Sequence, residues 1–377
     1  MIKILNIISD SNIGGAGRCV LTFLKYFDRS NFQVKVVVPT NSLLIPEIKK
    51  LGIDTIEAEG IAEKSLSRNG IKILKNIIKT SDCDIVHTHG NMSGRIAAKQ
   101  CGKKVVYTRH SVFPVNPKIS KGIGKKLNGI VKMHYADDII AVAEAAKENL
   151  TDSGIDGSRV KVILNGVEPQ SKIPKDVSEK IKVLYNIEKN DFVVGIMARI
   201  EEVKGHIYLI EAAEKIKKTG RNIKVLIIGT GALEEELKNT VKSKGLEDTV
   251  IFTGFIKNVN EILSIIDLQV NASFGTEATS LSLLEGMSLG IPAVVSNYGG
   301  NPGVITHGEN GYIFRLKDSD DLASYIIKLM DDKDTYDYMK NRSVEISVSY
   351  THLDVYKRQL WDLPAERETP LKMKVSQ

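Results

Sequence analysis

The chain is poor in cysteine, and it has no apolar run long enough to cross a bilayer. Only Cys19, Cys83 and Cys101 occur among 377 residues, and no two of them stand at Cys-x-x-Cys spacing. This argues against a disulfide framework or a structural zinc finger, and it favours reduced thiols in the cytoplasm. No apolar run approaches the ~20 residues that a membrane-spanning helix needs. The apolar run at 2–8 lacks a cationic leader and a small-residue cleavage site, so no signal peptide is expected. We expect a cytoplasmic protein, with peripheral attachment to the inner face of the membrane left open.

What the chain has is an ordinary globular composition with unevenly placed charge. Its hydrophobic content is 42% and its charged content 26%, and its length is typical of about two to three domains. The net charge is +6, yet residues 1–168 alone contain 25 Lys and Arg against 16 Asp and Glu. A basic first half favours an anionic partner, either an anionic lipid or a phosphorylated acceptor. No recognised nucleic-acid motif accompanies the charge, so nucleic acid is not expected as a partner.

Short β-branched runs alternate with amphipathic stretches, and the alternation occurs twice. Apolar strands in strand–helix–strand order are typical of parallel, doubly wound sheets covered on both faces. In the first set the predicted strands are 2–9, 33–38, 85–88, 104–108, 138–142 and 160–164. In the second set they are 192–197, 224–228, 250–253, 268–271 and 293–296. A turn at 163–167 and a polar stretch at 168–190 separate the sets. We predict two α/β domains, 1–168 and 169–347, with ligands in a cleft beyond the carboxyl ends of the strands.

A glycine-rich loop follows the first predicted strand. Residues 11–18 read Ser-Asn-Ile-Gly-Gly-Ala-Gly-Arg and lead into a helix. Glycines let the backbone approach a ligand closely, and a helix N-terminus favours anions. The loop is not a dinucleotide fingerprint, because Val20 stands where the last glycine of G-x-G-x-x-G is required. Gly14, Gly15 and Gly17 therefore either bind a ligand or allow tight strand–helix packing.

Histidines mark the end of another strand. His87 and His89 point to the same side of the strand, and His110, after the next strand, can converge with them. Three histidines are a possible zinc-binding set. No carboxylate or cysteine completes a recognisable metal motif, so hydrogen bonding to sugar hydroxyls is the favoured interpretation.

Two cations follow the first strand of the second predicted domain. Arg199 and Lys204 belong to the stretch 199–206, Arg-Ile-Glu-Glu-Val-Lys-Gly-His, which enters a helix. Two cations beside a helix N-terminus are suited to binding a diphosphate. The alternative is two solvated charges on a loop. Met197 and Ala198, which bring Arg199 directly to the carboxyl end of the strand, weaken that alternative.

The most specific segment is 275–287. Glu277 stands in a loop, and Thr279 or Ser280 can cap the helix that follows. The capped N-terminus offers free amides to a phosphate or a sugar oxygen. Glu285 lies eight positions after Glu277, on roughly the same helical face. Its apolar neighbours predict that Glu285 is partly buried and needs a partner.

In this order and spacing, the motifs resemble glycosyltransferase family 4, the retaining transferases of GT-B architecture. The resemblance spans about residues 1–340. The further matching positions are Asn165-Gly166-Val167, Gly229-Thr230-Gly231, Phe252-Thr253-Gly254 and Gly299-Gly300-Asn301-Pro302. It implies a hexosyltransferase that uses a nucleotide-diphosphate sugar, with UDP favoured by its frequency in the family, in cell-surface polysaccharide or glycolipid synthesis.

The resemblance also implies a role for each matching residue. Arg199 and Lys204 would bind the diphosphate and compensate the leaving-group charge in place of a metal ion. Neither a metal nor another cofactor is therefore expected. Glu285 would bind the ribose, and Glu277 and His89 would meet the donor sugar at the reacting face. The remaining donor-binding positions would be Gly14, Gly15, Gly17, Ile256, Ala278, Thr279, Ser280 and Leu281. The acceptor-side positions would be Arg109 and His110.

The implied reaction is front-face transfer with retained anomeric configuration. The leaving diphosphate would help to deprotonate the acceptor, while the protein supplies positioning and electrostatic stabilisation. Closure of the domains about Asn165 would assemble the site. The acceptor stays open between a lipid-linked glycan, a growing polysaccharide and a small molecule. Two alternative functions also stay open: another GT-B enzyme such as a nucleotide-sugar epimerase, and a sugar-nucleotide-binding protein without turnover.

The segment 118–132 has a basic amphipathic pattern. Ile119, Ile123, Leu127 and Ile130 recur at helical spacing, and five lysines flank them. The pattern fits a helix lying on an anionic membrane surface. It fits slightly better a helix that faces the core and keeps its lysines in solvent.

The end of the chain departs from the family. After about Ser347 the family pattern predicts a final helix that crosses back to the first domain. Residues 354–359 instead read Asp-Val-Tyr-Lys-Arg-Gln, which the codons GAT GTG TAT AAG AGA CAG encode. That string resembles a transposon adapter used in sequencing libraries. We therefore expect 348–377 to be a non-native tail.

Overall fold

Two all-parallel sheets organise the chain, and each is covered by helices. A computed structural model describes residues 1–351. The strands of the first sheet are β1 (Ile2–Ile8), β2 (Phe32–Pro39), β3 (Asp54–Ala58), β4 (Ile85–His89), β5 (Lys104–Arg109), β6 (Asp138–Ala141) and β7 (Val160–Val162). The helices of this first domain are α1 (Gly15–Tyr26), α2 (Leu44–Lys50), α3 (Arg68–Thr80), α4 (Met92–Gln100), α5 (Pro117–Ser120), α6 (Gly122–His134) and α7 (Glu144–Asp152).

The second domain repeats this plan. Its strands are β8 (Phe192–Met197), β9 (Ile223–Ile228), β10 (Val250–Gly254), β11 (Leu268–Asn271), β12 (Ala293–Ser296) and β13 (Gly311–Phe314). Its helices are α8 (Lys175–Leu184), α9 (His206–Lys218), α10 (Glu234–Ser243), α11 (Val259–Leu263), α12 (Leu281–Ser288), α13 (Asn301–Val304), α14 (Ser319–Asp331) and α15 (Lys333–Thr351).

The strand orders place a crevice in each domain. The first sheet runs β3-β2-β1-β4-β5-β6-β7, and the second runs β10-β9-β8-β11-β12-β13. In each sheet the chain builds outward in one direction, returns to the middle, and then builds in the other. The crevices therefore lie beyond the carboxyl ends of β1 and β4 and of β8 and β11. The prediction of two doubly wound, Rossmann-like α/β domains is confirmed.

Two strands, β3 and β13, were not among the predicted ones. Both are short, with five and four residues, and each is the outermost strand of its sheet. In β3, Asp54 and Glu57 are exposed and interrupt any apolar run. β13 is mostly buried, but it has only four residues and begins with Gly311, which gives a weak strand signal.

The segment 118–132 forms parts of two helices rather than one. Lys121 is extended and Gly122 has a φ of +57°, so the chain breaks between α5 and α6. The apolar side chains of α6 face outward, with Ile123 79%, Leu127 57% and Ile130 52% exposed. The core-facing interpretation of this segment is therefore wrong.

The final helix returns to the linker between the domains. The Val167 amide donates to the Tyr350 carbonyl at 3.0 Å, and the Tyr350 hydroxyl donates to the Gly303 carbonyl at 2.9 Å. Tyr350 is buried in one apolar cluster with Val167 and Leu281. The predicted tail begins at 348, inside α15, and the rest of it lies outside the described residues.

Candidate functional site

The centre of the second-domain crevice is an ion pair between Lys204 and Glu277. Lys204 ends a tight turn after β8, and its Nζ lies 2.9 Å from Oε2 of Glu277. The same oxygen accepts from the Ser273 hydroxyl at 3.1 Å and the Asn271 amide at 3.4 Å. Both charged side chains are almost buried. Three donors on one oxygen hold the Glu277 carboxylate in one orientation.

Close backbone contact also fixes the loop that contains Glu277. Gly299 has a φ of +56°, and a Cβ there would lie 2.0 Å from the Glu277 carbonyl oxygen. A Cβ on Gly300 would lie 1.6 Å from the Ala278 carbonyl oxygen. The Gly300 amide donates to the Glu277 carbonyl at 3.2 Å. The two glycines let the segment after β12 lie directly against this loop.

The start of α12 contacts both domains. The Ser280 side chain caps the helix by accepting from the Leu283 amide. The Thr279 hydroxyl donates to the first-domain carbonyl of Val142 at 3.2 Å. Ala278 is buried in the first-domain apolar cluster, and Leu281 packs beside the linker. Of these four predicted donor-binding positions, Ala278 and Leu281 can therefore offer a ligand only their backbone groups.

Glu285 has a partner that the sequence did not reveal. It is 3% exposed, which confirms that it is buried. Arg18 of α1 reaches across the cleft and binds both of its carboxylate oxygens, with Nη1 3.2 Å from Oε2 and Nη2 bonded to Oε1. Arg18 closes the glycine-rich loop in the sequence, and its position next to Gly17 was the one available signal of this role.

The glycines of the glycine-rich loop differ in how closely their surroundings pack. A Cβ on Gly17 would lie 3.0 Å from Leu44 of α2 and 3.3 Å from the Asn12 carbonyl oxygen, so packing favours glycine there. A Cβ on Gly15 would meet nothing within 4 Å, so packing does not explain Gly15. Gly14 precedes α1, and a Cβ there would lie 3.1 Å from Oδ2 of Asp10. Of the three glycines, Gly15 alone is free of the packing demand that applies at Gly17.

Arg199 does not join Lys204 on a shared carboxylate. Its side chain is 64% exposed, and it forms an ion pair with Glu201 at 2.9 Å. Its charge reaches the first domain, where it opposes the rise that burial causes in the pKa of the Asp10 carboxyl. Arg199 thus faces the glycine-rich loop from the other side of the cleft.

The histidines of the first domain form a hydrogen-bonded chain. The Asn6 Oδ1 atom lies 2.9 Å from His89 Nε2, and His89 Nδ1 lies 2.8 Å from His110 Nε2. Burial lowers the pKa of His110 to about 4 and holds that of His89 well below its usual value, so both rings are neutral near pH 7. With His89 donating to Asn6, His110 donates to His89.

Two ring nitrogens of these three histidines have no partner among residues 1–351. Both nitrogens of His89 are engaged, whereas Nδ1 of His110 is buried and unpartnered. His87 bonds the Thr108 hydroxyl through Nε2 at 2.7 Å, its buried Nδ1 is likewise unpartnered, and burial lowers its pKa to about 3. The structure therefore brings the three predicted histidines together and leaves His110 and His87 with one unsatisfied ring nitrogen each.

The two remaining predicted positions lie at or just after the carboxyl end of a strand. The Arg109 guanidinium bonds Asn149 Oδ1 at 2.8 Å and lies over the Phe113 ring. Ile256 follows β10 and is partly buried in a second-domain apolar cluster. Its neighbour Phe255 is 71% exposed, and the sequence analysis had passed over this aromatic side chain.

The described residues contain neither a metal-binding group nor a helix that could span a membrane. Within residues 1–351, no three His, Cys, Asp or Glu side chains converge in a way that could hold a metal ion. Of the helices in the same part of the chain, none combines the length and apolarity that a bilayer span requires.

Comparison with known families matches both halves of the chain. The model described as "Glycosyltransferase Family 4" matches residues 13–171, and the model described as "Glycosyl transferases group 1" matches residues 177–345. Among solved structures, the Anabaena protein HepE in complex with UDP and glucose superposes with a TM-score of 0.83, at 21% identity over 96% of this chain and 99% of that one. Sucrose-phosphate synthase of Thermosynechococcus elongatus gives 0.78, at 16% identity over 96% and 98%. At these identities the structural likeness shows the fold alone.

Two curated relatives cover most of the chain. One is the UDP-Gal:α-D-GlcNAc-diphosphoundecaprenol α-1,3-galactosyltransferase of Escherichia coli, 26% identical over 351 residues, which are 88% of this chain and 89% of the relative. The other is the N-acetyl-α-D-glucosaminyl L-malate synthase of Bacillus anthracis, 25% identical over 280 residues and 72% of each chain. With its two facing Rossmann-like domains, the protein is a GT-B glycosyltransferase. It belongs to glycosyltransferase family 4, as its motifs had indicated.

Proposed function

We propose that the protein transfers a hexose from a UDP-sugar to an acceptor, with retention of anomeric configuration and without a metal ion. The observation that carries the proposal is the Lys204–Glu277 pair at 2.9 Å, at the carboxyl ends of β8 and β11. Lys204 offers positive charge to a leaving diphosphate, and Glu277 accepts hydrogen bonds from sugar hydroxyls. A cation held in a nearly dry site stabilises developing negative charge far better than one in water.

The other donor groups complete this arrangement. Arg199, exposed and facing the glycine-rich loop, closes on the diphosphate from the opposite side to Lys204. Glu285 binds the ribose hydroxyls when Arg18 releases it. Backbone amides at Gly14, Gly15 and the start of α12 contact phosphate and sugar oxygens. The domains 1–168 and 169–347 close on the donor about Asn165, whose side chain lies 3.3 Å from Cys19 Sγ of α1.

A UDP-sugar donor fits what is known of similar proteins. HepE was solved with UDP and with UDP-glucose, and the E. coli relative is named for a UDP-galactose donor. We propose that Ile256 and its exposed neighbour Phe255 pack against the nucleobase.

We further propose that the acceptor is a lipid-linked glycan presented at the cytoplasmic face of an anionic membrane. The E. coli relative is named for a diphosphoundecaprenol acceptor. Helix α6 exposes Ile123, Leu127 and Ile130 beside basic side chains. An apolar stripe flanked by lysines is the pattern of a helix that lies on such a surface. His110, with one ring nitrogen available, contacts the sugars at the reacting face, and His89 positions it.

A donor screen followed by a turnover assay tests the proposed function. UDP-, GDP- and dTDP-sugars are compared by thermal shift, and UDP release is then measured with lipid-linked glycan acceptors. We expect stabilisation by UDP-sugars, UDP release on acceptor addition and a product with retained configuration by NMR. Tight UDP binding with no product from any acceptor would favour a binding protein, and an isomerised nucleotide sugar would favour an epimerase.

A further inference from the structure

Three cations of the first domain are near enough for their charges to interact. Arg95 is in the first half of α4, Arg109 ends β5, and Lys132 is near the end of α6. We call these residues the buried cation cluster. Burial lowers the pKa of Arg95 and of Lys132, and nearby charge adds to this: Arg109 opposes the charge on Arg95, and both arginines oppose the charge on Lys132.

The guanidinium groups have hydrogen-bonding capacity that the protein does not use. Arg95 is only 5% exposed, yet its Nε and Nη1 atoms have no partner. Arg109 uses Nη2 on Asn149, while its buried Nε is unpartnered. The rings of Tyr107 and Phe113 lie against the two guanidinium planes at 4.1 and 4.5 Å. Ring contact orients these groups but satisfies none of their N–H donors.

No carboxylate compensates the charge. In residues 1–351 none of the three cations forms an ion pair, and Lys132 contacts only the Ser153 hydroxyl, at 3.3 Å. Burial, with Arg109 and Arg95 adding to it, lowers the pKa of Lys132 to about 8. Buried charges in proteins are normally paired, because the desolvation of an unpaired buried charge costs on the order of several kcal/mol. The rest of the domain must offset this unfavourable free energy for the fold to remain stable. Binding of an anionic ligand would remove it.

We infer that the buried cation cluster binds the phosphate or diphosphate that joins the acceptor glycan to its lipid. This inference rests on the proposed function and adds a substrate class to it. Planar guanidinium groups bind phosphate oxygens in pairs, and a lysine adds a point charge. The donor diphosphate has its own cations, Arg199 and Lys204, on the second domain.

The surroundings of the cluster agree with a lipid-linked phosphate. Arg109 directly precedes His110, which we place at the reacting sugars. Lys132 belongs to α6, whose exposed Ile123 and Leu127 lie on the same helix. A phosphate bound here therefore sits between the reacting face of the cleft and an apolar surface that suits the lipid chain.

Binding of farnesyl diphosphate tests the inference. UDP affinity is measured first, and farnesyl diphosphate is then titrated by calorimetry in saturating UDP, which occupies the donor diphosphate position. We expect Lys132→Gln to weaken farnesyl diphosphate binding at least about tenfold and to leave UDP affinity unchanged. Lys126→Gln, an exposed lysine of the same helix, is the matched control and should bind like the wild type. A protein that does not bind UDP contradicts the proposed function instead.

Arg95→Met separates a ligand site from a merely structural arginine. If the cluster awaits an anion, this variant binds farnesyl diphosphate more weakly while its melting temperature without ligand rises, because an uncompensated buried charge is gone. Lower stability with unchanged farnesyl diphosphate affinity would overturn the inference.

Three further probes identify the source of the phosphate. Inorganic pyrophosphate should bind more weakly than farnesyl diphosphate, and farnesol should not compete for the cluster. Displacement of farnesyl diphosphate by phosphatidylglycerol vesicles in the wild type and not in Lys132→Gln would assign the cluster to a lipid headgroup and overturn the acceptor assignment.

Discussion

The two sides of the cleft differ in whether their buried charged and polar groups have partners within the protein. On the second-domain side, each buried carboxylate has a cation: Lys204 binds Glu277, and Arg18 binds Glu285. On the first-domain side, Arg95 keeps unpartnered N–H groups and His110 keeps an unpartnered ring nitrogen. The second-domain side thus pairs its buried carboxylates within the protein, whereas the first-domain side leaves buried donors and acceptors unpartnered; under the proposed function these are the donor and acceptor sides.

The difference shows how one cleft divides its tasks. Groups that must stabilise charge at a fixed point work best when neighbouring groups already hold them in place. Groups that must recognise a charged acceptor work best when nothing in the protein competes for them. The cost of the second arrangement is stability, which functional sites commonly sacrifice.

The largest effect should come from breaking the paired side at Glu277. Glu277→Gln removes the charge that Lys204 compensates and the acceptor for sugar hydroxyls, so turnover should fall about 100- to 1000-fold, as for loss of one transition-state contact. Nucleotide affinity should be largely kept. Steady-state UDP release and calorimetry measure the two. Glu202→Gln, an exposed neighbour of Lys204, is the control, and unchanged turnover in Glu277→Gln would remove Glu277 from the site.

The next largest effect should come from the glycine that supports the Glu277 loop. Gly300→Ala places a methyl group 1.6 Å from the Ala278 carbonyl oxygen, so the backbone must move. We expect a loss of about 3 kcal/mol in the free energy of unfolding, at the upper end of overpacking costs. Denaturant titration checks this. Gly303→Ala, whose Cβ meets nothing within 4 Å in α13, should be neutral or stabilising; equal losses in the two variants would contradict the close contact.

On the first-domain side, negative charge introduced on α6 should weaken membrane binding. Ile123→Glu with Leu127→Glu removes two exposed apolar side chains and adds repulsion from anionic lipid. Because burying such a side chain contributes about 1.5–3 kcal/mol, we expect at least a tenfold weaker affinity for phosphatidylglycerol vesicles in flotation. The control is Val183→Glu with Leu184→Glu, two exposed positions of the second domain. A wild type that ignores the vesicles would end the membrane proposal.

The smallest effect concerns acid, and it should appear first in the first domain. Burial lowers the pKa of His87 to about 3 and of His110 to about 4, while the second domain has one such group, His206, lowered to about 4. Unfolded histidines titrate near 6.5, so the unfolded state binds more protons between about pH 4 and 6.5. Stability is therefore full above that window and is lost as the pH falls through it, on the order of 1–2 kcal/mol per histidine at pH 5.

Thiol labelling can locate this acid effect, because all three cysteines of the chain lie within residues 1–168. Buried Cys83 should react faster with 4,4′-dithiodipyridine at pH 5 than at pH 7, after correction with free glutathione. Circular dichroism should show the second domain still folded. A labelling rate independent of pH would contradict the expectation.

The fold was predictable because central parallel strands are apolar throughout. The predicted bounds of β8, β11 and β12 are confirmed to the residue. The strands β3 and β13 were not predicted, because β3 has two exposed acidic residues and β13 has only four residues beginning with a glycine. The break between α5 and α6 at Lys121 was not predicted, because it depends on a positive φ at Gly122. Hydrophobic periodicity carries no information on backbone dihedral angles.

The sequence singles out candidate site residues, but it does not reveal which of them contact one another. Lys204 and Glu277 were both singled out, but 73 positions separate them, and no local pattern reveals their contact. Arg18 and Glu285 are 267 positions apart and come from different domains. The hydrogen bond between His89 and Asn6, which motivates the proposed role of His110, depends on the packing of neighbouring strands.

The contact of Gly299 and Gly300 with the Glu277 loop also sets limits on how this enzyme can be redesigned. Any larger side chain at either glycine meets a backbone carbonyl, so routes to new donor specificity through these positions are closed. Diversity in a directed-evolution library is better placed at Phe255 and Ile256, where side chains are exposed or only partly buried. The close contact of Gly299 and Gly300 with the Glu277 loop thus restricts substitution at these two glycines, whereas Phe255 and Ile256 should tolerate it.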